Sequence, residues 1–94
     1  MDKRLIGHVG VDSGQLVLMD PCYIMNMWDV TTYEAVCAQT TSVEMAGKVP
    51  YPMGHEGMLV ATSTGYGDGF YPVYAEYNEE GRVKRVTVEF MEEE

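Results

Sequence analysis

The sequence predicts a mostly β, α+β domain of about five antiparallel strands. They form a hairpin plus a three-stranded meander, in a curled sheet or open barrel, with one short helix. Three observations carry this reading. Short β-prone runs recur at 5–11, 15–19, 58–62, 70–77 and 82–90, glycine- or proline-bearing turn signals separate most of them, and one segment alone has a helix-start signature. The 94 residues suffice for one domain and one modest core.

Leu5 to Val11 reads as the first strand, with Ile6 and His8 facing one way and Leu5, Gly7 and Val9 the other until Gly10 interrupts the alternation. Gln15 to Met19 is the second. Asp12-Ser13-Gly14 between them has the length and the glycine of a three-residue hairpin loop, so the two strands are expected to pair. Asp20-Pro21 ends the second strand, because proline has no ladder donor and restricts the residue before it.

Thr31-Thr32-Tyr33-Glu34 has capping-box spacing and predicts a helix of at most three turns, burying Tyr33, Val36, Cys37 and Thr40. Residues 43–57 carry two prolines and three glycines and are expected to be an irregular connection. Met58 to Thr62 and Phe70 to Tyr77 are expected to pair across a glycine-rich loop. Asn78-Glu79-Glu80-Gly81 then turns the chain into a last strand, Arg82 to Phe90. Val83 is out of phase with Val86, which favours a bulge near Lys84. Pro72 within the aromatic run favours an edge position or a bulge for that strand, and such an edge is where a second copy could add to the sheet. Tyr71, Val73, Ala75 and Tyr77 share one strand face, and Phe70, Pro72, Tyr74 and Glu76 the other. With aromatics on both, the second face is either an interface or is covered by the helix or by residues 43–57.

Six basic against fifteen acidic side chains give a net charge of −9, which opposes binding to nucleic acid and to anionic membranes. No apolar run is long enough for a membrane span and no signal peptide opens the sequence, so a cytoplasmic protein is expected. The closing Glu92-Glu93-Glu94 reads as the end of a frayed tail over 91–94. Cys22 and Cys37 cannot staple a small scaffold and are expected to stay reduced as small apolar residues; with His8 and His55 they form no zinc pattern, and no cofactor is expected. The methionines at 25, 27, 45, 53 and 58 read as gap-filling core.

The residues Val11-Asp12-Ser13-Gly14-Gln15, Asp20-Pro21-Cys22-Tyr23, Ser63 to Tyr74 and Gly81-Arg82-Val83 together resemble a family of small bacterial and phage domains of unknown function. The stretch Gly65-Tyr66-Gly67-Asp68-Gly69 followed by Tyr71-Pro72-Val73-Tyr74 is the most specific part. The resemblance implies a β-rich fold, is compatible with a phage-encoded product acting in the host cytoplasm, and implies no activity.

The loop from Thr62 to Tyr71 is the most unusual stretch. Its candidate site comprises Ser63, Thr64, Gly65, Tyr66, Gly67, Asp68, Gly69 and Tyr71, with Tyr23 and Trp28 across a groove formed with the 20–28 segment. Backbone amides and hydroxyls there would make a polar nest, and the aromatic rings would stack on a planar, nucleotide-like ligand. The spacing matches neither G-x-G-x-x-G nor a P-loop. The duller alternative is a long hairpin loop whose glycines take positive φ and whose Asp68 bonds its own backbone. Asp12, Asp20 and Asp68 sit at loop ends and would suit a metal-dependent hydrolase only if they converged. The expected function is therefore a non-catalytic binding domain that sequesters a small ligand or blocks a host protein, with that hydrolase or an assembly component as alternatives.

Overall fold

The computed structural model describes residues 3–24, 29–51, 54 and 56–91. Trp28, His55, three of the five methionines named above (25, 27 and 53) and the acidic tail 92–94 lie outside them. The fold is mostly β, with six strands where the sequence suggests five: β1 (Arg4–Val11), β2 (Gln15–Met19), β3 (Ala46–Val49), β4 (Leu59–Ser63), β5 (Gly69–Tyr77) and β6 (Val83–Val88). One helix, α1 (Val30–Thr40), and a 3-10 turn at Pro21–Tyr23 complete the described elements. The strands form two three-stranded antiparallel sheets, ordered β1-β5-β6 and β2-β4-β3, neither of them a closed barrel.

This topology corrects two expected pairings. β1 does not pair with β2, nor β4 with β5; instead β1 pairs with β5 and β2 with β4. The run β1–β2 and the run β4–β5 are two long antiparallel ribbons that bend together, with Val11 opposite Gly69 before the bend and Gln15 opposite Ser63 after it. Asp12–Gly14 is thus a corner between sheets. Gly14 has φ +72° and lies so close to the other ribbon that a Cβ would stand 3.5 Å from the Gly67 Cα. Its carbonyl accepts from the Thr64 amide at 3.1 Å, so the corner's backbone is satisfied between ribbons rather than within a hairpin.

Pro72 also sits differently from its expected edge position, because β5 is the central strand of its sheet. The Pro72 carbonyl accepts from the Glu89 amide at 3.2 Å, just beyond the last β6 residue, Val88. The nitrogen of a strand residue points to the same side as its own carbonyl, so the donor that proline lacks would have faced the place where the β6 ladder stops. The expected β5–β6 hairpin is present. The Asn78 side chain accepts from the Glu80 and Arg82 amides at 2.9 and 3.0 Å, and Gly81 has φ +82°. The register slips between the pairs Glu76–Arg85 and Tyr77–Val83, leaving Lys84 as the bulge.

Residues 43–57 are not wholly irregular. Ala46–Val49 forms an edge strand on β4 although its sequence has little β-propensity, and Val49 is buried there. Met45, at φ +58°, leads the chain into it, and its carbonyl accepts from the Ser63 amide. Helix α1 begins two residues earlier than the capping-box reading: Asp29 is its N-cap, accepting from the Thr32 amide at 2.8 Å. A cap of this kind contributes about 1 kcal/mol. α1 lies against β3 and β4 and touches β2. Val36 and Thr40 are its buried residues, Cys37 is half-buried, and Tyr33 stays exposed on the first turn. Under the helix, Val36, Val49, Met58, Leu59 and Ala61 form the core, flanked by Val17, Met19 and Tyr23. Met58 thus fills core as expected, whereas Met45 is exposed.

Candidate functional site

The loop joining β4 to β5 closes on itself. Thr64 is 0% exposed; its amide donates to the Gly14 carbonyl and its hydroxyl to the Gly67 carbonyl. Tyr71 is buried too, and its hydroxyl donates to the same Gly67 carbonyl at 2.7 Å. The Ser63 hydroxyl accepts from the Gly65 amide at 3.2 Å. Gly65 and Gly67 take positive φ, at +84° and +88°, which lets the chain curl around these bonds. Gly69 belongs to β5, where a Cβ would come within 3.1 Å of the Tyr71 ring. The Ser63 and Thr64 hydroxyls, the Gly65 amide and the Gly67 carbonyl are therefore engaged inside the loop. Tyr66 and Asp68 remain exposed at its surface.

The structure does not bring Tyr23 to this loop. Tyr23 follows β2 at the Met19–Leu59 end of the ladder, roughly 13 Å of strand from the Gln15–Ser63 end. There it packs on Tyr51, with centroids 5.3 Å apart, beside the helix-backed core. The groove expected between the loop and the 20–24 part of that segment is replaced by opposite ends of one sheet.

The acidic residues divide in the same way. Asp12 follows Val11 and Asp68 precedes its partner Gly69, so these two are neighbours across the corner, whereas Asp20 lies beyond the far end of β2. Among the described residues no group of three His, Cys, Asp or Glu side chains is placed to hold a metal ion.

Cys22 is exposed rather than buried, because it sits in the 3-10 turn capped by Asp20, whose carboxylate accepts from the Cys22 amide at 3.0 Å. Partial desolvation, then the adjacent Asp20 carboxylate, raise its thiol pKa above the usual value, which disfavours the thiolate a nucleophile requires. Cys37 lies in a polar recess of about 200 Å³ beside Gln15 and Thr40. Gln15 Nε2 donates to its sulfur at 3.4 Å, and Thr40 Oγ1 donates to Gln15 Oε1 at 2.7 Å. These bonds tie the end of α1 to β2.

A second aromatic surface lies on one face of β5. Phe70, 71% exposed, stacks flat on His8 of β1, with ring centroids 5.2 Å apart and planes 4° from parallel. Pro72 and Tyr74 continue the same face, and a recess of about 280 Å³ opens there against Glu89 and Met91. Lys3 lies over the Tyr74 ring and pairs with Glu89, while Arg85 pairs with Glu76 across the strands at 3.2 Å. The alternation of Phe70, Pro72 and Tyr74 is the sequence signal for this face. What the sequence could not show is that α1 and β3 both belong to the other sheet and leave it uncovered among the described elements.

The family model described as Protein of unknown function (DUF4241) matches residues 5–88. The chain belongs to this family. The match takes in β1 from Leu5 onward, the other five strands, the corner and Phe70, Pro72 and Tyr74. No curated protein and no solved structure matches the chain. No helix among the described residues is long and apolar enough to cross a membrane.

Proposed function

We propose that this DUF4241 chain is a non-catalytic binding domain that acts by occupying a protein surface, through the Phe70–Pro72–Tyr74 face of the β1-β5-β6 sheet. The observation that carries this reading is Phe70 itself, a large ring stacked on His8 yet left 71% exposed beside an open recess. Exposed aromatics beside a recess are frequent anchors of protein contacts. A nucleotide is supported less well. The recess is shallow for an enclosed ligand, and Lys3, the cation beside it, is already paired with Glu89. A net charge of −9 favours a partner with a basic surface. The reduced cysteines suit action in the cytoplasm.

The test is affinity capture from the native source with the wild-type chain and with Phe70→Ser, their folds compared by circular dichroism. Loss of a buried aromatic anchor lowers affinity by a factor of about thirty or more. Recovery of the wild-type partner is therefore expected to collapse in the variant. Equal recovery by the two folded chains, or saturable thermal stabilisation of the wild type by a nucleotide, contradicts the reading.

A further inference from the structure

Among the described elements, β1 lies along β5 on one side and along no other helix or strand. Its outer edge carries unused backbone groups. The Pro72 carbonyl faces β6, so by the alternation of the ladder Tyr71, Val73 and Ala75 turn their backbone toward β1, where Val9, Gly7 and Arg4 meet them. His8 and Gly10 therefore turn their amides and carbonyls away from β5, and these groups have no partner among the described residues. Both residues are exposed, whereas Gly7 and Val9 are half-buried.

The other outer edges are shorter or blunted. β6 carries the Lys84 bulge, β3 is four residues long and β2 is five. β1 has eight residues and contains neither lysine nor proline. Its one irregularity falls between Leu5 and Gly7 and leaves 7–11 in regular register. An edge of this kind is a template for an added strand.

The distribution of charge along β1 identifies that strand. The chain has fifteen acidic residues, yet 3–11 holds none. Lys3 and Arg4 stand at one end of β1; Asp12 stands at the other, with Asp68 as its neighbour across the corner. Arg4, Asp12 and Asp68 make no ion pair among the described residues. A strand that is cationic at its start and acidic at its end complements itself when turned antiparallel about a two-fold axis. With that axis at Val9, the His8 backbone exchanges bonds with Gly10 of the second copy. Gly10 has no side chain to disturb the stack of His8 on Phe70. The same register sets Asp12 of the second copy beside the Leu5–Gly7 irregularity, next to Arg4.

We infer that the outer edge of β1 pairs antiparallel with β1 of a second copy of this chain, joining two three-stranded sheets into one of six strands. The self-association anticipated along a Pro72 edge is thereby moved to the neighbouring strand, because β5 has a partner on either side. The inference is independent of the proposed function: it uses the backbone of an edge and leaves Phe70 in place.

Sedimentation equilibrium of the full chain, from low micromolar to near-millimolar concentration, tests it. The wild type is expected at twice 10.5 kDa in the upper part of that range. Gly10→Pro removes an outward amide in each copy and spares the ladder to β5, so it is expected to raise the dissociation constant at least about thirtyfold. Gly10→Ala keeps the amide, and its Cβ would stand in ordinary contact, 3.6 Å from the Phe70 ring; it is expected to dimerise as the wild type does. Arg4→Glu sets like charges together at both ends of the seam and is expected to weaken the dimer about tenfold. Circular dichroism confirms folding, and Arg4→Glu carries the test alone should Gly10→Pro unfold. A wild type that is monomeric throughout overturns the inference and leaves the edge to an extended segment of another protein. Undiminished dimerisation of folded Gly10→Pro, or of Arg4→Glu, overturns it, as does a loss in Gly10→Ala equal to that in Gly10→Pro.

Discussion

Replacing Leu59 by alanine is expected to lower the free energy of unfolding by about 3 kcal/mol, within the ~2–5 kcal/mol range for large-to-small changes in a core. Leu59 is 2% exposed and lies under α1 among Val36, Val49, Met58 and Ala61. It sits on the central strand, opposite Met19 of β2 and Val49 of β3, so the lost methyl groups leave a void that three strands and a helix cannot close together. A domain of this size has roughly 5–15 kcal/mol to lose. Urea unfolding followed by circular dichroism measures the effect. Val60→Ala, on the outer face of the same strand, is the control and is expected to shift stability by no more than about 0.5 kcal/mol. Equal losses at the two positions would contradict a core placed between α1 and the β2-β4-β3 sheet.

The second large effect is expected at the corner and is a non-additive one. Thr64→Val and Tyr71→Phe each remove one of the two hydroxyls that donate to the Gly67 carbonyl and leave the other in place. Each alone is expected to cost about 1 kcal/mol. Removing both strips that carbonyl of both side-chain donors, so the double variant should lose more than the sum, by about 1 kcal/mol or more. A double-mutant cycle in urea reads this coupling directly. Simple additivity would mean that the loop is open and wet at Gly67, as a ligand-binding nest would be.

The sequence made the elements legible and left their partners obscure. β2 is bounded as its residues suggest, and the Asn78–Gly81 turn and the Lys84 bulge follow from local chemistry that acts within a few residues. Local sequence points to a β1–β2 hairpin because Asp12-Ser13-Gly14 is chemically adequate for one. The bond that decides against it runs from Thr64 to Gly14, fifty residues away, and no local pattern contains it. β3 was invisible for the same reason: Ala-Gly-Lys-Val is a strand only because β4 offers it a ladder. Gly47 serves a contact between two elements, since a Cβ there would meet the Gln39 side chain of α1.

At the candidate site, residue composition and alternation point to different surfaces. The glycines and hydroxyls of 63–69 suggested an outward-facing nest, yet they fold the loop around Thr64 and Tyr71. Phe70, Pro72 and Tyr74 marked a second aromatic face from their period alone. Its exposure depends on which sheet the helix covers, a matter of topology that turn chemistry does not decide.

The two faces of the β1-β5-β6 sheet exist as described only if the ribbons cross from one sheet to the other. Inter-strand backbone NOEs in the isotope-labelled chain test this most directly. The structure predicts contacts joining Val9 to Tyr71 and Val17 to Ala61, with none joining β1 to β2. Contacts joining Val9 or Val11 to Leu16 or Leu18 would restore the simple hairpin and contradict the account.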